Sequence, residues 1–288
     1  MKSALALSRI KKLQKDHTLI MGILNITPDS FSDGGQYMVP ELALAKAESL
    51  IKEGADIIDI GGESTRPGAL PVSSEEEIAR TAPVIRMIRE KLGDNVLISI
   101  DTNKAIVAEA ALTAGADIVN SLGGFTFDTA LAKVVAKAKC PFAIYHIKGE
   151  PRTMQKGAIK YKNVVGDITA FFKQQIAIGG KAGIKRDQFI LDPGIGFGKS
   201  VDHNLTIVKN YKAFTKFKLP LMLGASRKSH LANILKEKMR LDMTPPPEER
   251  IEAGLAETAI AVLGGATIVR THDVLATKKF LTLLDALK

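Results

Sequence analysis

Eight short apolar runs, each followed by a stretch of helical periodicity, constrain this chain more than any other feature. The runs cover residues 19–24, 57–60, 96–100, 118–119, 142–145, 189–191, 220–223 and 267–269. Short runs rich in β-branched and aromatic residues suit strands covered on both faces. Between them, apolar spacing and stop signals predict helices over 40–53, 73–93, 103–114, 128–139, 164–182, 203–217, 248–263 and 274–287. Ser73 and Ser74, followed by Glu76 and Glu77, form overlapping capping boxes at one start, and Gly54, Gly93 and Gly115 stand just beyond helix ends. Strand and helix alternating eight times, without a low-complexity linker, imply parallel strands joined by crossover helices. At 288 residues the chain suits a single (β/α)8 TIM barrel, for which roughly 250 residues is typical. The surplus goes to an N-terminal arm over 1–17, ahead of a barrel domain over 18–288, and to long loops at the C-terminal rim. A doubly wound open sheet is the alternative arrangement.

The polar residues that follow the runs carry the functional argument. Asn25 ends the first, Gly61-Gly62-Glu63-Ser64-Thr65-Arg66-Pro67-Gly68 follows the second, and Asp101, Asn120, His146 and Asp192 end the next four. Ser226-Arg227-Lys228-Ser229 follows the seventh, and Arg270 and His272 follow the eighth. In a parallel barrel all eight ends share one rim, so these residues converge although they are distant in sequence. Each has a plainer reading as a helix cap, and Asp101 ahead of the 103–114 helix fits that reading well. Eight polar ends of eight runs favour convergence. Asp101, Asn120, Asp192 and Lys228 offer acceptors and donors suited to a flat heterocycle, whereas Arg66, Arg270, His272 and Asn25 suit an anion or its metal.

After Asp192 and Pro193, Gly194, Gly196 and Gly198 give a loop whose backbone can approach a ligand closely. Gly198-Lys199-Ser200 resembles the end of a phosphate-binding P-loop, but the glycine that such a loop needs five residues earlier is Pro193 here. No spacing among His17, His146, His203, His230 and His272 supports a zinc site. Of these, His146 and His272 belong to the rim, and His17, His203 and His230 read as surface or helix residues.

The 40 Lys and Arg outnumber the 31 Asp and Glu by nine, which raises nucleic acid, membrane surfaces and anionic small molecules as partners. The basic residues are scattered through helical stretches, and there is no Trp and only 4 Tyr, so a nucleic-acid platform is poorly supported. A solvated basic surface with one anion pocket is the preferred reading. Cys140 is the only cysteine and reads as a small buried residue. No run reaches membrane-spanning length, so no membrane partner is expected and a cytoplasmic location is.

Longer stretches then resemble a known family. Leu24-Asn25-Ile26-Thr27-Pro28-Asp29-Ser30-Phe31-Ser32-Asp33-Gly34-Gly35 is similar to the first signature of dihydropteroate synthases, and the stretch from Asp59 to Gly68 to the second. Asp192-Pro193-Gly194-Ile195-Gly196-Phe197-Gly198-Lys199, Ser226-Arg227-Lys228 and Arg270-Thr271-His272 complete the set in order. The resemblance implies condensation of 6-hydroxymethyl-7,8-dihydropterin diphosphate with p-aminobenzoate to 7,8-dihydropteroate, a step of folate biosynthesis, with Mg2+ as cofactor and a homodimeric enzyme. It implies a pterin pocket of Asp101, Asn120, Asp192 and Lys228 with Arg270 over the ring face. It assigns Asn25, Arg66, Arg270 and His272 to the diphosphate, with Asn25 toward the metal. Phe31, Thr65, Pro67, Phe197 and Ser229 fall on the p-aminobenzoate side, where sulfonamides resemble the substrate. Asp101, Arg66 and Lys228 are the expected catalytic groups, in an SN1-like step beneath lids over 26–38 and 61–72. Ser121, Lys148, Glu150 and Thr271 depart from the family pattern without removing an expected contact. The rival reading is a pterin-binding methyltransferase of the same barrel class, serving a corrinoid.

Overall fold

The computed structural model describes residues 2–27, 39–64, 68–154 and 159–287. Eight strands run parallel: β1 Leu19–Asn25, β2 Ile57–Gly61, β3 Leu97–Asp101, β4 Ile118–Leu122, β5 Phe142–Tyr145, β6 Phe189–Asp192, β7 Met222–Leu223 and β8 Ile268–Thr271. Their order is β6-β5-β4-β3-β2-β1-β8-β7, and a parallel bridge between Leu191 and Leu221 joins the two ends. The sheet is therefore a (β/α)8 barrel and not an open doubly wound sheet. All eight expected strands occur, with boundaries shifted by at most three residues.

Strand alternation sorts each run into two faces. Ile20, Leu24, Ile58, Ile60, Ile98, Ile100, Val119 and Ile144 pack outward against the helices. Residues of opposite parity, among them Leu19, Met21, Ile57, Leu97, Ile118, Ala143, Ile190, Met222 and Ile268, close the floor of the barrel. Helix α1, Lys2–Leu13, plugs this end by inserting Ala6 and Ile10 into the same cluster. The N-terminal arm is thus a helix that seals the barrel bottom. Arg9 donates to the carbonyls of Asp94 and Asn95, and Lys11 pairs with Asp187 at 2.8 Å. With its base filled by apolar side chains, the barrel has polar groups only in its upper layers.

The remaining helices are α2 Val39–Lys52, α3 Ser74–Leu92, α4 Ala105–Ala114, α5 Leu131–Ala138, α6 Val164–Ala182, α7 Val201–Lys209, α8 Ser229–Met239, α9 Ile251–Leu263 and α10 Val274–Ala286. Ser73 caps α3 by accepting from the Glu76 N–H, one half of the first of the two expected capping boxes, whereas Ser74 is already the first residue of the helix. Two expectations are corrected. The 203–217 segment is α7 followed by a 3-10 helix over Tyr211–Phe217, because buried Tyr211, Phe214 and Phe217 recur every third residue. The 128–139 helix starts only at Leu131, because Asp128 is used elsewhere: its Oδ2 accepts from the Ala105 N–H at 2.7 Å and so caps α4. Helices α1 and α8 have no counterpart in the sequence reading. Among the described residues no helix is long and apolar enough to cross a membrane.

Candidate active site

The inward-facing parity that builds the apolar floor also fills the next two layers with polar groups. On β2 it selects Asp59, on β3 Ser99 and Asp101, on β4 Asn120, on β5 Tyr145, on β6 Asp192 and on β8 Arg270. The register agrees: Gly61 is level with Asp101, Asp101 with Asn120, and Tyr145 with Asp192.

Arg270 organises this layer. Its Nε donates to Asp59 Oδ2 at 2.6 Å and its Nη2 to Asp101 Oδ2 at 2.7 Å. Asn120 Nδ2 donates to the same Asp59 oxygen at 3.1 Å, and Tyr145 Oη donates to Asp101 Oδ1 at 2.6 Å. Asp59 and Asn120 are fully buried, and their Oδ1 atoms have no hydrogen-bond partner within the protein. Such orphaned acceptors cost free energy unless a ligand or water donates to them. Asp101 does not cap α4; that role belongs to Asp128, and the carboxylate of Asp101 is committed to the barrel interior.

Asp192 stands on β6, with only β7 between it and Arg270 on β8. Its Oδ1 accepts from the Gly194 N–H at 2.7 Å. A methyl group at Gly224 would lie 3.7 Å from Asp192 Oδ2 and 3.9 Å from Arg270 Cβ. Glycine at this position keeps a side chain out of the space between them. Lys228 Nζ sits 3.7 Å from the centre of the Phe197 ring, a cation–π contact. Burial raises Asp192 to about 6, against the pull of the Gly194 N–H and Lys228. Burial and then Arg270 lower Lys228 to about 8. Burial also holds Asp101 well above the ordinary carboxylate range, although Arg270 opposes the shift.

At the mouth, Asn25 ends β1 beside Gly61. A methyl group there would lie 3.6 Å from Asn25 Oδ1 and 3.8 Å from Asp101 Cβ. His272 Nδ1 lies 3.1 Å from Ser226 Oγ, and burial, then Arg270 and Arg227, lower its imidazole to about 3. Arg227 lies in the left-handed region at φ 59° and forks onto Asp273 through Nε at 3.1 Å and Nη2 at 2.6 Å. That clamp fixes the turn carrying Lys228. Ser229 opens α8 and is exposed.

The structure therefore brings Asp101, Asn120, Asp192, Lys228, Arg270 and Phe197 to one end of the barrel, together with Asn25 and His272. Phe31, Thr65, Arg66 and Pro67 lie outside the described residues, as do parts of both expected lids. A cleft beside the layer is lined by Glu63, Glu77, Asp101, Leu122, Phe127 and Tyr145. On its wall Lys104 Nζ bridges Glu63 and Glu77, each at 2.6 Å, tying the 61–64 segment to α3.

The glycine loop is put to another use than expected. A methyl group on Gly194 would fall 1.9 Å from the His146 carbonyl oxygen, and one on Gly198 would fall 2.2 Å from that of Lys148. The close approach is to neighbouring backbone. Buried Lys199 holds it there, donating to the Gly194 and Phe197 carbonyls at 2.8 and 2.9 Å and to His146 Nδ1 at 2.9 Å. Burial and Lys199 push His146 down to about 2, so it stays a neutral acceptor. The Gly-Lys-Ser stretch is a structural clasp. His230 is a helix residue, as expected, but a buried one: it meets Glu257 at 2.9 Å between α8 and α9.

Asp59 and Tyr145 are the residues that sequence reasoning missed. The signal for Asp59 is a carboxylate inside the apolar run 57–60, two residues before Gly61 and so on its face. Tyr145 is marked only by being the last residue of its run.

The family of pterin binding enzymes matches this chain over residues 21–272. The dihydropteroate synthase of Synechocystis sp. is 43% identical over 270 residues, covering 94% of this chain and 90% of its own. A Yersinia pestis dihydropteroate synthase solved as a sulfonamide drug complex superposes with a TM-score of 0.85 at 37% identity, covering 94% of each chain. The Xanthomonas albilineans dihydropteroate synthase in complex with 7,8-dihydropteroate does so at 0.81 and 33%, again covering 94% of each. With this identity over nearly its whole length, the chain belongs to the dihydropteroate synthase family of pterin binding enzymes.

Proposed function

We propose that this barrel joins 6-hydroxymethyl-7,8-dihydropterin diphosphate to p-aminobenzoate, giving 7,8-dihydropteroate and diphosphate. The observation that carries the reading is the buried layer in which Arg270 spans Asp59 and Asp101, with Asp192 on neighbouring β6 and Lys228 after β7. A pterin edge presents N–H donors beside a ring nitrogen and a carbonyl. Asp192 and the orphaned Asn120 Oδ1 accept from the donors, Lys228 and the Asn120 amide donate to the acceptors, and Arg270 covers the ring face. A site of paired buried polar groups rejects ligands that leave those groups unpaired.

The reaction breaks the bond between the pterin methylene and the diphosphate oxygen and forms a bond from that carbon to the aryl amine nitrogen. We propose a loose, SN1-like order in which departure leads and positive charge spreads into the dihydropterin ring. The Asp101 carboxylate stabilises that charge electrostatically from within the barrel. An aryl amine attacks as the neutral base and loses its proton afterwards, so no catalytic base is assigned. In the tautomer with hydrogen on Nε2, His272 accepts from Ser226 at Nδ1 and donates its other nitrogen to a phosphate oxygen. Arg66 completes the anion site by family resemblance. Phe197 offers an apolar wall to the aminobenzoate ring, with Ser229, Phe31, Thr65 and Pro67 assigned beside it on the same ground.

Mg2+ keeps several waters and uses few protein oxygens alongside substrate phosphates, so the single amide oxygen of Asn25 at the mouth fits it. Bound there with the diphosphate, the ion supplies neutralisation of the leaving group's charge. A homodimer is supported by exposed Ile260 and Leu263 on α9 beside exposed Leu275 and Leu283 on α10. Sedimentation at low protein concentration tests it. A cytoplasmic location goes with the pathway.

Incubation with both substrates tests the activity. Equal yields of dihydropteroate and diphosphate are expected. Methyl transfer to a corrinoid without either product would support the methyltransferase reading instead.

A further inference from the structure

Tyr145 is only 3% exposed, yet it borders the cleft together with Asp101, Leu122 and Phe127. Its body belongs to an apolar cluster with Leu122, Ile147, Met154 and Phe197, a role that packing alone would give to any large apolar side chain. The hydroxyl is the exception. It donates to Asp101 Oδ1 at 2.6 Å, while Arg270 donates to Asp101 Oδ2 at 2.7 Å. Asp101 therefore has a donor on each oxygen, one from β5 and one from β8, and its carboxylate plane is fixed from both sides. The Tyr145 ring also packs on Phe197, centre to centre 5.2 Å, and Phe197 carries the Lys228 ammonium on its face. One side chain thus joins the carboxylate side of the site to its ammonium side.

Resting on the synthase reading, we propose that Tyr145 is a positioning residue for this reaction. Its hydroxyl orients the Asp101 carboxylate and holds it as the anion that faces the carbon losing diphosphate. The phenol suits this task. Burial and the adjacent Asp101 hold it well above its ordinary range, so it remains a donor at every working pH. Burial raises Asp101, and the hydrogen bond from Tyr145 opposes that shift, as does the charge of Arg270. The other groups facing Asp101 are Asp59 from β2 and Glu77 from α3, which disfavour its ionised form, and Lys228 from the turn after β7.

The test compares wild type with Tyr145→Phe and Tyr145→Met, both of which fill the apolar cluster without a hydroxyl. Steady-state rates with pterin diphosphate and p-aminobenzoate are measured from about pH 5 to about pH 9, together with Tm. Loss of a hydrogen bond to a charged group corresponds to a fall in kcat of roughly 10- to 100-fold. Both variants should show that fall, with smaller changes in KM and with the acid limb of the kcat profile moved to higher pH. An unchanged kcat and acid limb would overturn the proposal, as would a loss of activity that merely tracks a lowered Tm. If the wild type makes no dihydropteroate, the synthase reading fails by itself. The Tyr145 assignment is then decided by the Asp101 carboxyl titration in 13C NMR, where a higher pKa in the variants supports it and an equal one overturns it.

Discussion

Arg270, on the last strand, donates to Asp101, on the third, across 2.7 Å and 169 residues of sequence. That contact crosses the barrel above an apolar floor, so both charges lie in a low-dielectric layer where each depends on the other. Removing one partner of such a pair leaves an uncompensated buried charge, which costs about 3–5 kcal/mol.

Arg270→Met should therefore destabilise the protein by about that amount at neutral pH, since Asp59 and Asp101 both lose their cation. The deficit carries a sign in pH. Without Arg270 the folded-state pKa of Asp101 rises further above its unfolded value. The stability tied to its protonated form is present at acid pH and lost as pH rises through the folded pKa. The gap in Tm between variant and wild type should thus be wider at about pH 8 than at about pH 5. Thermal unfolding at the two pH values checks this; a gap that narrows toward alkaline pH contradicts it.

Asp192→Asn should weaken pterin binding by roughly 1.5–3 kcal/mol, because the amide sets a donor against the ring's N–H edge. Its oxygen can still accept from Gly194, so folding should survive. Calorimetric titration with a pterin measures the loss, and wild-type affinity would remove Asp192 from the pocket.

The same carboxylate gives binding a pH dependence. Asp192 is held at about 6, and only its ionised form accepts two hydrogen bonds from a ligand. Affinity should be level at neutral pH and fall by up to about tenfold for each unit below about pH 6. A flat profile down to about pH 5 would show that this group does not receive the ring.

Asn25→Ala should raise the Mg2+ concentration needed for half-maximal turnover by about tenfold, if its amide oxygen is a metal ligand. Binding of a pterin without phosphates should be unaffected. A metal titration of activity, paired with calorimetry, separates the two. An unchanged Mg2+ requirement removes Asn25 from the metal.

The barrel was legible because its signals are local: eight apolar runs, their stop residues, and polar groups at their ends. Convergence of Asp101, Asn120, Asp192, Lys228 and Arg270 follows from parallel topology alone. The pairing within the layer was not legible, because hydrogen-bond choice depends on which side chains meet across the barrel. Asp59 shows this: it looks like part of a strand and becomes Arg270's nearest partner. Lys199 shows the converse, since a sequence suggestive of phosphate binding serves to clasp carbonyls, which only the approach of the Gly194 loop to His146 reveals. Helix α1 escaped because its apolar residues read as a short patch ahead of a basic run, and only the open barrel base gives Ala6 and Ile10 something to bury against.

The central claim is that a flat ring binds inside this barrel, between Arg270 and Asp192. A crystal structure of the protein with a bound pterin tests it most directly. The ring should lie with its N–H edge on Asp192 and Asn120, Lys228 at its acceptor side and Arg270 across its face. A ring seated instead in the cleft between Glu63 and Phe127, with the Arg270 layer untouched, would contradict the assignment.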